Sequence, residues 1–157
     1  METNVHTISQ SARYLGLAGL LPQVIACLYA FNSSEWQWVA LAVGFGYAAF
    51  IFSFLGGVWW GLALGKHDAP TWIYAAAITP SLIALASFIP WTLGWEWPGP
   101  SMMLLGACLL LSPLVDKAIG KVIALPARWI NLRWQLSLGL GSLTLLLSFM
   151  PLPGVAT

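Results

Sequence analysis

The chain is built of long apolar runs cut by short polar ones. The runs extend from Tyr14 to Phe31, Trp38 to Gly65, Trp72 to Trp91, Ser101 to Val115 and Trp134 to Met150. A hydrocarbon core about 30 Å thick needs about 20 apolar residues in a helix, and each run meets or approaches that length. The separators Asn32-Ser33-Ser34-Glu35, Lys66-His67-Asp68-Ala69-Pro70 and Trp97-Pro98-Gly99-Pro100 carry chain breakers and polar groups. The period-two alternation of barrel strands is missing. In lipid each backbone polar group must be satisfied inside its own segment, which leaves the helix. The pattern predicts an all-α polytopic membrane protein, residues 1–157 forming one bundle of five transmembrane helices.

Composition sharpens this. Of 157 residues, 59% are hydrophobic and 7% charged, against roughly 25% charged in soluble domains. Such a chain cannot cover a water-facing surface. A net charge of +1 offers nothing to nucleic acid. Cys27 and Cys108 both lie in apolar runs without a CxxC or Cys/His cluster, and read as packed thiols. The first eleven residues lack the marks of a signal or transit peptide, so the N-terminus is expected to be mature and the host bacterial.

Charge also sets an orientation. Arg13, Lys66, Lys117, Lys121, Arg128 and Arg133 all fall on one side of a five-span arrangement, whereas the other side carries Glu35 and Glu96. The positive-inside rule predicts a cytoplasmic N-terminus and a periplasmic C-terminus in the bacterial inner membrane. Trp36, Trp38, Trp91, Trp95 and Trp97 then cluster at the outer boundary, and Trp72, Trp129 and Trp134 at the inner one, where indole rings suit the headgroup gradient.

The second run carries small residues at every fourth position: Ala49, Ser53, Gly57, Gly61 and Gly65. Such a GxxxG-type ladder lets helix backbones approach closely, either within the bundle or against a partner. Its 28 residues would reach about 42 Å, so this helix must tilt or enter the headgroups. Trp59 and Trp60 are the two Trp residues that the boundary belts leave unexplained. They either pack beside the glycines or wall a flat apolar ligand. Pro22 is expected to kink the first span, and Gln23, the most polar side chain deep in any run, to hydrogen-bond another helix or contact a ligand. The loop 116–133 interleaves Lys117, Lys121, Arg128 and Arg133 with apolar residues. It reads as a short interfacial helix up to Leu125, a break at Pro126 and a headgroup-binding edge. Asp116 is expected near water at the end of the fourth span, paired with Arg133 or Arg13.

Leu15-Gly16-Leu17-Ala18-Gly19-Leu20-Leu21-Pro22, Ser53-Phe54-Leu55-Gly56-Gly57 with Trp60-Gly61, Pro80-Ser81-Leu82, Asp116, and Leu125-Pro126 with Trp129, Leu132 and Arg133 occur in that order. Together they resemble an uncharacterised, domain-of-unknown-function family of small five-span proteobacterial membrane proteins related to mitochondrial transmembrane protein 69. The resemblance implies a fold, not a reaction.

Between the ends of the five runs no Asp, Glu, Lys, Arg or His occurs, which speaks against ion-coupled transport. No metal, nucleotide or paired-carboxylate motif is present, so neither catalytic nor metal residues are assigned. The expected function is that of an interaction protein. It would be an accessory or assembly subunit that docks on a larger inner-membrane complex, or on a second copy, through the small-residue ladder. The alternative is binding or transport of an apolar aromatic or lipid-like molecule, such as a quinone, pigment or lipid, by Gln23, Trp59 and Trp60. A third reading is a lipid-headgroup enzyme using Asp116, Arg128 and Arg133.

Overall fold

A computed structural model describes residues 9–95 and 98–150. Glu96 and Trp97, expected at the outer boundary, lie outside the described residues. The described chain is helical in six segments: α1 (Gln10–Ala18), α2 (Leu21–Asn32), α3 (Gln37–Leu64), α4 (Thr71–Thr92), α5 (Gly99–Ile119) and α6 (Trp129–Ser148). The expected kink in the first span is a break between α1 and α2. Pro22 sits in the first turn of α2, where its missing N–H removes no helical bond.

Pairwise contacts order these segments into five rods. Gln23 touches Thr144, and Leu20 lies against Gly139, so the α1–α2 rod runs parallel to α6. Phe45 meets Phe88 while Trp60 meets Tyr74, so α3 and α4 are antiparallel. Gly99 faces Ser148, Gly106 faces Gly141, and Asp116 pairs with Arg133, so α5 and α6 are antiparallel along their whole length. The result is an up-and-down bundle. All six Lys and Arg residues fall at or near one end of it, whereas Trp36, Trp38, Trp91 and Trp95 lie exposed at the other.

Among the described residues, four segments are long and apolar enough to cross a membrane, namely Gln10–Asn32, Gln37–Leu64, Thr71–Thr92 and Gly99–Ile119. The chain is a multi-pass membrane protein. Helix α6 falls short by composition because Asn131, Arg133 and Gln135 crowd its first two turns. It is nevertheless packed against α5 throughout.

Glycine decides how closely the rods approach. A Cβ on Gly56 would lie well under 3.0 Å from the Ala77 carbonyl oxygen, a separation real Cβ atoms essentially never show. Gly106 and Gly141 form a reciprocal contact: a Cβ on either would meet a leucine of the facing helix at 2.7 Å and the other glycine's carbonyl at 3.1–3.2 Å. These are close crossings over small residues, as expected where lipid supplies no hydrophobic force between helices.

The expected ladder is only partly such a crossing. Ala49 is buried and Ser53 half-buried, but Gly57, Gly61 and Gly65 are exposed. Gly57 and Gly61 have nothing within 4 Å of an added Cβ. Gly56, one position off the ladder, makes the contact with α4 instead, because one residue turns a helix face by about 100°. A second correction concerns the loop after α5. Helix α5 continues to Ile119 and is capped at Gly120, and no helix forms over residues 120–125. Lys66 ties this connection down by donating to the Val122 carbonyl at 2.8 Å.

Candidate functional site

The two charges that sequence reasoning places in a wet loop are inside the bundle. Asp116 is 1% exposed and Arg133 6% exposed. Both lie within helices, because α5 runs four residues past Val115 and α6 begins five residues before Trp134. Hydropathy ends a span at the first charge, but a neutralised pair does not oblige the helix to stop there. Asp116 is three residues from the end of α5, about 5 Å along the axis, so the pair sits just inside the basic end.

Three helices build this cluster. Arg133 of α6 donates Nε–H to Asp116 Oδ2 at 2.8 Å, and Trp59 of α3 donates its indole N–H to Asp116 Oδ1 at 3.0 Å. Arg133 also donates from Nη2 to Ser112 Oγ at 3.3 Å. The Ser112 hydroxyl proton points to the Leu109 carbonyl at 2.8 Å, so the 3.1 Å contact with Ser137 is a bond donated by Ser137. Arg133, not Arg13, is therefore the partner of Asp116. Trp59 carries no free ring for a ligand to stack on; it is 3% exposed and committed to the carboxylate.

Trp60, its neighbour, is 41% exposed and stands edge-on to Tyr74 with centroids 5.1 Å apart. The two adjacent Trp residues thus have separate roles. Replacing Trp59 by Phe removes a hydrogen bond to a buried charge, so it is expected to destabilise the protein by about 1.5–3 kcal/mol. Trp60→Phe should stay within about 0.5 kcal/mol. Thermal or SDS titration of both variants in mild detergent checks the difference.

Gln23 meets the expectation of an interhelical bond. It is fully buried and donates Nε2 to Thr144 Oγ1 of α6 at 3.1 Å, while Thr144 donates to the Leu140 carbonyl. Its Oε1 has no partner among the described residues. Gln23, Trp59 and Trp60 do not converge on one cavity.

A cavity that reaches the buried cluster lies elsewhere; a larger apolar groove between α2 and α3, lined by Pro22, Tyr29, Trp36 and Val43, does not touch the cluster. The cavity at the cluster has a volume of about 230 Å³, is formed by α1, α3, α5 and α6, and is lined by Leu20, Ile51, Leu136 and Leu140, with Arg133 and Ser137 as polar members. Tyr47 also lines it, but its hydroxyl is donated to the Gly19 carbonyl where the first rod breaks. Sequence reasoning missed this space because it lies between α1, α3, α5 and α6, and no single apolar run shows which of its positions face it.

The remaining basic residues stay outside. Lys117, Lys121 and Arg128 are exposed at the bundle end, around a groove that also holds Trp129 and Asn131. Arg128 borders a second polar groove with Arg13 and Gln135. The structure therefore splits the expected trio: Asp116 and Arg133 form an internal pair, and Arg128 is not part of it.

The sequence matches a family of proteins of unknown function, DUF3429, over residues 8–150. The chain belongs to the DUF3429 family. No curated protein and no solved structure matches it. The DUF3429 match covers all six helices, so the buried Trp59–Asp116–Arg133 cluster and the neighbouring cavity both lie within the family region.

Proposed function

We propose that this DUF3429 protein is an inner-membrane interaction protein, an accessory or assembly subunit that docks on a larger membrane complex through α3. The observation that carries this reading is the split of the small-residue ladder. Its Ala49 end is consumed by the bundle, whereas Gly57 and Gly61 face outward with open space above them. A smooth backbone surface in lipid has little to offer acyl chains but allows another helix to approach closely. The flanking exposed Phe50, Phe54 and Trp60 would frame such a helix.

The proposal takes α6 as a fifth crossing, supported by its full-length antiparallel contact with α5. It places the basic end in the bacterial cytoplasm and the C-terminus in the periplasm, supported by the one-sided Lys and Arg residues. Exposed Lys117, Lys121 and Arg128 serve there as contacts to lipid phosphate. Reporter fusions at Lys66 and Lys121 should give the same sidedness, and a fusion at Glu35 the opposite one.

Gly57→Leu and Gly61→Leu test the docking itself. An added Cβ meets nothing within 4 Å at either position and both positions face outward, so both variants should melt within about 0.5 kcal/mol of the parent. Each should lose the co-purifying partner and migrate faster on a native gel. If both keep the parent's mobility and its companions, this surface is not the docking face. A shift from dimer to monomer would identify the partner as a second copy.

A further inference from the structure

We infer that the 230 Å³ cavity beside Arg133 is a binding site for the ring of a neutral, carbonyl-bearing lipophile of the quinone type, whose tail runs out into the membrane. This goes beyond the docking surface, with which the cavity shares Phe54 at its mouth but neither Gly57 nor Gly61. Size comes first. An apolar cavity of about 150 Å³ accommodates benzene, whereas whole drug-sized ligands occupy about 300–1,000 Å³. The space suits one substituted ring and no more. Leu15 and Phe54, 73% and 64% exposed, also line it, so the cavity opens toward the lipid-facing surface and a tail has a way out.

Chemistry comes second. The walls are mainly leucine and isoleucine, with Tyr47 and Ser137 beside them, and the charged group among them is Arg133, nine-tenths buried. Asp116 and Ser112 take its Nε–H and one Nη2–H, and a guanidinium carries further N–H donors. Arg133 is already neutralised by Asp116, so an incoming carboxylate or phosphate would add an uncompensated charge in a dry site. A carbonyl oxygen accepts from the guanidinium without that cost. Phospholipid esters carry carbonyls too, but the glycerol, the charged headgroup and a second chain do not fit with them into a space of one ring.

The full-length protein in detergent micelles is titrated with decylubiquinone, with decylbenzene as the carbonyl-free control. Binding is read by retention through gel filtration and by the rise in melting temperature. Decylubiquinone should saturate at one per chain and bind about tenfold or more tighter than decylbenzene. Gly16→Leu should abolish binding while leaving the fold intact, because a Cβ there meets Leu136 at an ordinary 3.4 Å and the longer side chain fills the cavity. Ile51→Phe, at another lining position, serves if Gly16→Leu does not fold. Equal affinity for decylbenzene would reduce the site to a plain apolar groove and overturn the inference. So would undiminished binding in both filled variants, no binding to the parent, or co-purified phosphatidylglycerol that decylubiquinone does not displace.

Discussion

Arg133→Ala should lose most of its folded population, at a cost of about 3–5 kcal/mol. The substitution leaves Asp116, 1% exposed, as an unpaired buried carboxylate held only by Trp59. Desolvation of that charge, more than loss of one attraction, sets the magnitude. Asp116→Ala should be about as damaging, because it strands the guanidinium. The double variant Asp116→Leu/Arg133→Met is expected to recover most of the loss, since apolar residues of similar volume often replace a buried pair at little or no cost. SDS or thermal unfolding of the parent, the double variant and the matching single variants Asp116→Leu and Arg133→Met closes the cycle. Additive single losses, with no recovery in the double variant, would show that the two side chains act independently.

The second large effect is expected at adjacent glycines. Gly56→Ala should destabilise by about 1–3 kcal/mol, because its methyl meets the Ala77 backbone carbonyl, which cannot move without separating α3 from α4. Gly57→Ala should be neutral within about 0.5 kcal/mol, because its methyl meets nothing within 4 Å. Measured by the same titration, equal losses at 56 and 57 would contradict the rotational setting of α3. The contrast also bears on function. Gly56 is then unsuitable for probing a partner, whereas Gly57 and Gly61 can be altered without touching the bundle.

The sequence-based expectation of an interhelical bond from Gln23 holds, as do the polar breaks between rods and the gathering of basic residues at one end. Each rests on information local in the chain: a run of apolar residues, a buried amide that needs a partner, a charge near a span end. The expected burial state of Asp116 and Arg133 fails for a specific reason. Hydropathy ends a span at the first charge, but these two residues, seventeen positions apart, cancel one another across a helix pair. The pairing of Asp116 with Arg133 is among the sequence-based expectations, but its burial depends on how α5 and α6 pack, which a hydropathy window does not read. The ladder misleads similarly. Period four identifies a small-residue face, but Gly56 and Gly57 differ only in which way the bundle turns them.

The sequence by itself determined that this protein lives in lipid, that it is helical, and where its rods begin and end to within a few residues. Composition and hydrophobic run length act on each segment separately, so no knowledge of neighbours is needed. Only the tertiary structure decided which glycines touch a helix, which Trp holds the buried carboxylate, and where a cavity remains beside Arg133. Those outcomes depend on the rotation of each rod about its own axis, which packing among all five selects together.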